Sequence, residues 1–177
     1  MSTPIWLSLA TQTLSRPALT NAGRVAVLGI GNELNGDDGI GVKITQQLGE
    51  HNIGCDYKKT TRSRLIITAG LAPENFTGQL RRFHPDFVIL IDAADMGSEP
   101  GCVQWLHWQQ TIGMSASTHS LPLSILAQYL VTEIGCEVYI IAIQAESNDF
   151  GNDLSTAATD AVRGVVSGLA AVLFPRV

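Results

Sequence analysis

A chain of 177 residues that is 45% hydrophobic holds enough apolar material for one packed domain, which argues against a disordered segment. Its formal net charge of -5, with 11 Lys+Arg, leaves no basic stripe to neutralise phosphates, so nucleic acid is not an expected partner. Cys55, Cys102 and Cys136 form no Cys-x-x-Cys pair, which excludes a zinc knuckle and points to reduced thiols in a cytosol. The opening MSTPIWLSLATQTLSRPAL has no basic region ahead of its short apolar stretch and no small-residue cleavage signature. No run reads as long enough to span a membrane, so a cytoplasmic protein without membrane insertion is expected.

Thr3 and Pro4 read as an N-cap and first-turn pair, and Ile5, Trp6, Leu9 and Ala10 follow at helical spacing. Residues 1–23 are therefore expected to form an N-terminal extension with a short helix that ends by Pro17, ahead of a single domain over 24–177. RVAVLGIG (24–31) is a continuous apolar run bounded by glycine, the pattern of a strand buried on both faces, and the next helix should begin near Asp38. EHNIGCDYKKTTRSR (50–64) is polar and aperiodic and reads as a loop or irregular edge. LIITAG (65–70) supplies a second strand, APENFTGQLRRF (72–83) a short helix, and Phe87 to Ile91 a third strand ending in Asp92. GCVQWLHW (101–108) follows a Pro100-Gly101 turn, as an antiparallel return strand would. SLPLSILAQYLVTEIG (120–135) reads as a helix, with Ser120 as cap, Pro122 in the first turn and Gly135 past the end. Its Leu123, Leu126, Ala127 and Leu130 share one face. EVYIIAIQA (137–145) is the last strand and LSTAATDAVRGVVSGLAAVLF (154–174) the last amphipathic helix.

Strands alternating with helices predict a mostly parallel sheet covered on both faces, a three-layer α/β/α domain. Such a sheet binds ligands where successive crossovers leave in opposite directions, beyond the carboxyl ends of two neighbouring strands. Asp38 and Asp92 are expected on two of the loops that line this crevice.

GIGNELNGDDGIG (29–41) resembles a phosphate-binding loop only in part. The third glycine of Gly-x-Gly-x-x-Gly is replaced by Leu34, and Glu33, Asp37 and Asp38 would repel a pyrophosphate. Either aspartate alone could be a helix cap, and Asp92 alone a strand-end turn residue. A third polar group comes from STHSLP, where His119 precedes a helix N-terminus whose dipole favours neutral imidazole. Two carboxylates and an imidazole on three loops would make a three-ligand metal site with open positions; the plainer reading of His119 is a loop histidine bonded to backbone. His51, His84 and His107 read as structural or surface residues. Neither Gly-x-Ser-x-Gly nor His-Glu-x-x-His occurs.

GNELNGDDGIG, VILIDAADMG and STHSLPLS, in that order, together with APEN (72–75) and AIQ (142–144), resemble the endopeptidases that mature the large subunit of nickel-iron hydrogenases. The likeness is to those serving formate hydrogenlyase-type hydrogenases and spans most of Val25 to Val166. It implies removal of a C-terminal extension from a large-subunit precursor once nickel is inserted. It also implies Asp38, Asp92 and His119 as the catalytic, metal-contacting residues. Nickel would come with the substrate, and no organic cofactor and a monomer are expected. The implied fold is a phosphorylase/hydrolase-like α/β/α sandwich with a mixed five-stranded sheet, order 2-1-3-5-4, strand 4 antiparallel. Asp37 is then a helix-capping neighbour, and the glycines leave room for a bulky protein substrate. Ala142-Ile143-Gln144-Ala145 stands where the family often has Gly-Ile-x-Pro, and the first twenty residues and 50–64 look longer than usual. Two other readings stay open on sequence alone: a metal-binding maturation chaperone without protease activity, and a nucleotide-binding module.

Overall fold

The central strands are built from residues that can be buried on both sides. β1 (Val25–Ile30) is buried at all six positions, and β3 (Phe87–Ala94) at all but its last. The computed structural model describes residues 3–15, 23–53, 64–112 and 122–175, with only the backbone for 51–53; His119 and Ser120 lie outside the described residues. β2 (Arg64–Gly70), β4 (Val103–His107) and β5 (Glu137–Gln144) complete a sheet of order β2-β1-β3-β5-β4. β2, β1, β3 and β5 run parallel, and β4 pairs antiparallel with β5.

Alternation along the strands sends side chains to two separate cores. Val25 and Val27, Phe87, Ile89 and Ile91, and Ile141 and Ile143 pack under α1 (Ile5–Leu14), α2 (Ile40–Ile53) and α5 (Thr156–Leu173). Ala26 and Leu28, Val88 and Leu90, and Val138 and Ile140 pack under α3 (Thr77–Phe83) and α4 (Leu123–Ile134) on the other face. The three layers expected from the alternation of strands and helices are therefore present.

Several boundaries differ from the sequence reading. α1 starts at Ile5 with Pro4 at its N-cap, and Thr3 gives no capping bond, because Pro4 has the extended ψ of 145°. Trp6, Ala10 and Leu14 of this helix lie in the same core as α5, and Trp6 meets α5 at Gly168, where a Cβ would come within 2.8 Å of the indole. α2 continues to Ile53, so 50–53 are helix rather than loop, while 54–63 lie outside the described residues. β2 begins at Arg64, whose guanidinium bonds the carbonyls of Gly23 and Leu173. α4 ends as expected at Gly135 in the left-handed region, φ 77°, where glycine has no Cβ to strain. α5 corrects the view that no segment reaches spanning length: its 18 residues, at mean hydropathy 1.2, are long and apolar enough. Its apolar stripe, from Ala158 through Val162, Val165 and Leu169 to Leu173, is instead buried against the sheet.

Candidate active site

The site begins where β1 and β3 part. Their pairing runs from Val25↔Phe87 to Gly29↔Ile91 and stops. A register shift between Gly29 and Ile30 keeps β1 with β2, and Gly31 N-H donates to Gly70 O at 3.1 Å. β3 continues with β5 through Asp92↔Ala142 to Ala94↔Gln144. Asp92 is thus the first residue of β3 with no partner on β1, at the fork expected for a ligand in such a sheet. It lies inside the strand, three residues earlier in it than a loop position would be, and only 3% exposed. Alternation after Val88 and Leu90 turns it toward the α3/α4 layer.

Asp38 reaches the fork from a 3-10 turn, Gly36–Gly39, between β1 and α2, and is fully buried. Its Oδ2 accepts from Asn32 N-H at 2.9 Å, which fixes the carboxylate over the end of β1. The surrounding glycines make this placement possible. A Cβ on Gly31 would sit 1.7 Å from Asp38 O; one on Gly29, 2.1 Å from Gly41 O; one on Gly41, 2.2 Å from Ile91 O and 2.4 Å from Ile30 O. The first turn of α2 is therefore wedged into the fork backbone to backbone. This corrects the idea that the glycines make room for substrate: they make room for α2.

Asp37 also departs from expectation. Rather than capping α2, it is buried and accepts from Ser155 N-H at 2.7 Å, Ser155 Oγ-H at 2.9 Å and Glu146 N-H at 2.8 Å. Its own N-H donates to Ser147 O at 3.0 Å. Ser155 in turn caps α5, its Oγ accepting from Ala158 N-H. Asp37 so ties the 145–155 connection to the turn that carries Asp38. A doubled aspartate gave no sequence signal of this division, because the clamp's partners lie over a hundred residues away.

The sequence assigns Gln144 no role beyond its place in the AIQ match. Its Oε1 accepts from Met96 N-H at 2.7 Å and Ser98 N-H at 3.2 Å, and its Nε2 donates to Ala145 O at 3.0 Å. The buried amide thereby holds the 95–98 loop beside the carboxyl end of β5.

The other candidates fall away from the fork. His84 closes α3 in the left-handed region, φ 52°, and His107 caps a 3-10 turn with its ring edge on Tyr139. Burial pushes the Cys136 thiol up to about 11 while its Sγ-H donates to Leu130 O, so it is a core thiol and not a thiolate ligand. Among the described residues no group of three His, Cys, Asp or Glu could hold a metal. Asp38 and Asp92 are brought to one fork, and α4 begins four residues after His119. The nucleotide reading fails on geometry, since backbone packing takes up the glycines and Asp38 is buried beside the approach to α2.

Known proteins agree with this architecture. The profile of the hydrogenase maturation protease family matches residues 52–173. A Methanocaldococcus jannaschii protein assigned to these proteases is 36% identical over 136 residues, 75% of this chain and 78% of its own. The hydrogenase 3 maturation protease of Escherichia coli K12 is 30% identical over 81% of this chain and 86% of its own. The crystal structure of a [NiFe] hydrogenase maturation protease from Thermococcus kodakarensis superposes with a TM-score of 0.79 at 28% identity, covering 93% of this chain and 98% of that one. A shared sheet order, a matching family profile over more than half the chain and relatives of this identity lead to one conclusion: the chain belongs to the hydrogenase maturation protease family, whose members hydrolyse peptide bonds.

Proposed function

We propose that this chain removes the C-terminal extension of a nickel-iron hydrogenase large-subunit precursor after nickel insertion, and that it reads the nickel through Asp38, Asp92 and His119. The observation that carries the reading is the fork between β1 and β3, which gathers two buried carboxylates where a ligand enters such a sheet. Nickel arrives as part of the substrate. Carboxylate oxygen and imidazole nitrogen are donors it accepts, so the donor types fit. Three protein ligands leave positions for the precursor's own thiolates, and the free enzyme then binds the metal weakly. When bound, nickel supplies Lewis-acid polarisation of the nearby carbonyl. Asn32 N-H holds the Asp38 carboxylate in place, and a carboxylate of the fork takes a proton from the attacking water as general base. The same reading has the enzyme act as a cytoplasmic monomer without an organic cofactor.

The test uses precursor from nickel-supplied and nickel-starved cells, the same metal-free enzyme, and intact mass as readout. Only the nickel-loaded precursor should lose its extension. Equal cleavage of both would remove metal recognition, and cleavage of neither would overturn the assigned substrate. His119→Ala should greatly weaken processing with the thermal transition unchanged; a large drop in that transition would make His119 structural.

A further inference from the structure

Two loops beside the fork form a wall with unusual features. The 145–155 connection is fastened to the 31–39 segment by the three bonds to Asp37, by Asp37 N-H to Ser147 O, and by Gly151 N-H to Leu34 O at 2.7 Å. It is braced within itself by Ser147 Oγ-H to Asp149 Oδ2 at 2.7 Å and Asp149 N-H to Ser147 Oγ at 3.2 Å. On this wall stand two large apolar side chains in the open: Phe150 is 79% exposed and Leu34 is 60% exposed. The Gly151–Leu34 bond joins the backbone beside one to the backbone of the other. Leu71, 50% exposed, follows β2 at the same end of the sheet, next to the Gly31–Gly70 bond.

Single exposed apolar residues are ordinary, but a group on braced backbone at the mouth of a site marks a binding surface. The charge around it is one-sided. The described loops at this end, 31–39, 71–76, 95–102 and 145–155, contain Asp and Glu but neither Lys nor Arg. Lys43, on α2, is paired with Glu33 at 2.9 Å.

Resting on the function proposed above, we infer that this wall is the docking ledge for the precursor segment next to the scissile bond. That segment carries apolar side chains that cover Phe150 and Leu34, and its flanking residues include Lys or Arg that meet the acidic loops. Because the bonds hold the ledge before the substrate arrives, little ordering is lost on binding. The acidic rim attracts the basic flank and makes the encounter sensitive to salt.

The experiment measures binding of purified precursor to immobilised full-length enzyme, alongside KM for processing. The double variant Leu34→Ser/Phe150→Ser should weaken binding about tenfold and raise KM in parallel, since two apolar side chains lose their cover. Phe150→Leu, which keeps the apolar surface, should stay within about twofold of wild type. Both variants should keep the wild-type thermal transition, as the side chains are exposed. Wild-type affinity in the double variant would overturn the ledge. Affinity indifferent to added sodium chloride would overturn the basic flank. Since binding is read directly, a wild-type enzyme that binds precursor without cutting it would count against the function proposed above and leave the ledge standing.

Discussion

β1 and β2 leave the sheet in nearly the same way. Each closes on a glycine with positive φ, Gly31 just past β1 at 128° and Gly70 as the last residue of β2 at 63°. Each passes through a four-residue 3-10 turn, Gly36–Gly39 or Pro73–Phe76, whose N-cap residue has similar angles, φ -114° ψ 51° at Asn35 and φ -129° ψ 63° at Ala72. Each turn then runs directly into a helix, α2 or α3. The first turn is wholly buried and carries Asp37 and Asp38; the second buries only Pro73, and its Glu74 is exposed. Local design alone therefore does not make the site. β1 has β3 on its far side and parts from it after Gly29, whereas β2 is the edge of the sheet. A turn over the fork can aim a carboxylate into a crevice, and the same turn at the edge meets solvent.

The strongest way to break this comparison is Asp38→Asn. Asparagine keeps an acceptor for Asn32 N-H but loses the charge, so processing should fall about a hundredfold or more with the fold retained. Normal processing by the purified variant, followed by intact mass, would reduce Asp38 to a structural acceptor and make the two turns equivalent. Gly41→Ala comes next. Its Cβ would meet backbone oxygens of both Ile30 and Ile91, which cannot swing aside, so unfolding in urea should reveal a loss of about 3 kcal/mol.

Asp37→Ala should cost about 2 kcal/mol, because it strands the N-H groups of Glu146, just past β5, and of Ser155, the N-cap of α5. Amide exchange should quicken at 146–155 more than in β1; uniform quickening would mean that Asp37 does not clamp that connection. The smallest effect belongs to the second turn. A Cβ on Gly70 meets nothing nearer than 3.9 Å, so Gly70→Ala should lose only about 1 kcal/mol, from the left-handed backbone alone. A loss as large as that of Gly41→Ala would show that the two turns are equally tightly built.

The sequence by itself determined the buried strands and most helices, since continuous apolar runs and 3.6-residue spacing are local signals that burial rewards directly. Phe87 to Ile91 and the Gly135 stop of α4 were legible for that reason. The order of the sheet came into view only through resemblance to a family, because spacing holds no record of which strands lie side by side, whereas the placing of Asp38 and Asp92 at one crevice already followed from their positions after buried strands. Tertiary structure alone decided three things. It divided the labour of Asp37 and Asp38, through partners at Ser155 and Asn32 that no local pattern links to them. It assigned the glycines to the seating of α2, since a close approach is a property of two backbones and not of one. It carried β3 past Asp92 along β5 after β1 had turned away, because hydrogen bonds to Ala142 and beyond extend the strand where the apolar run in the sequence has already ended.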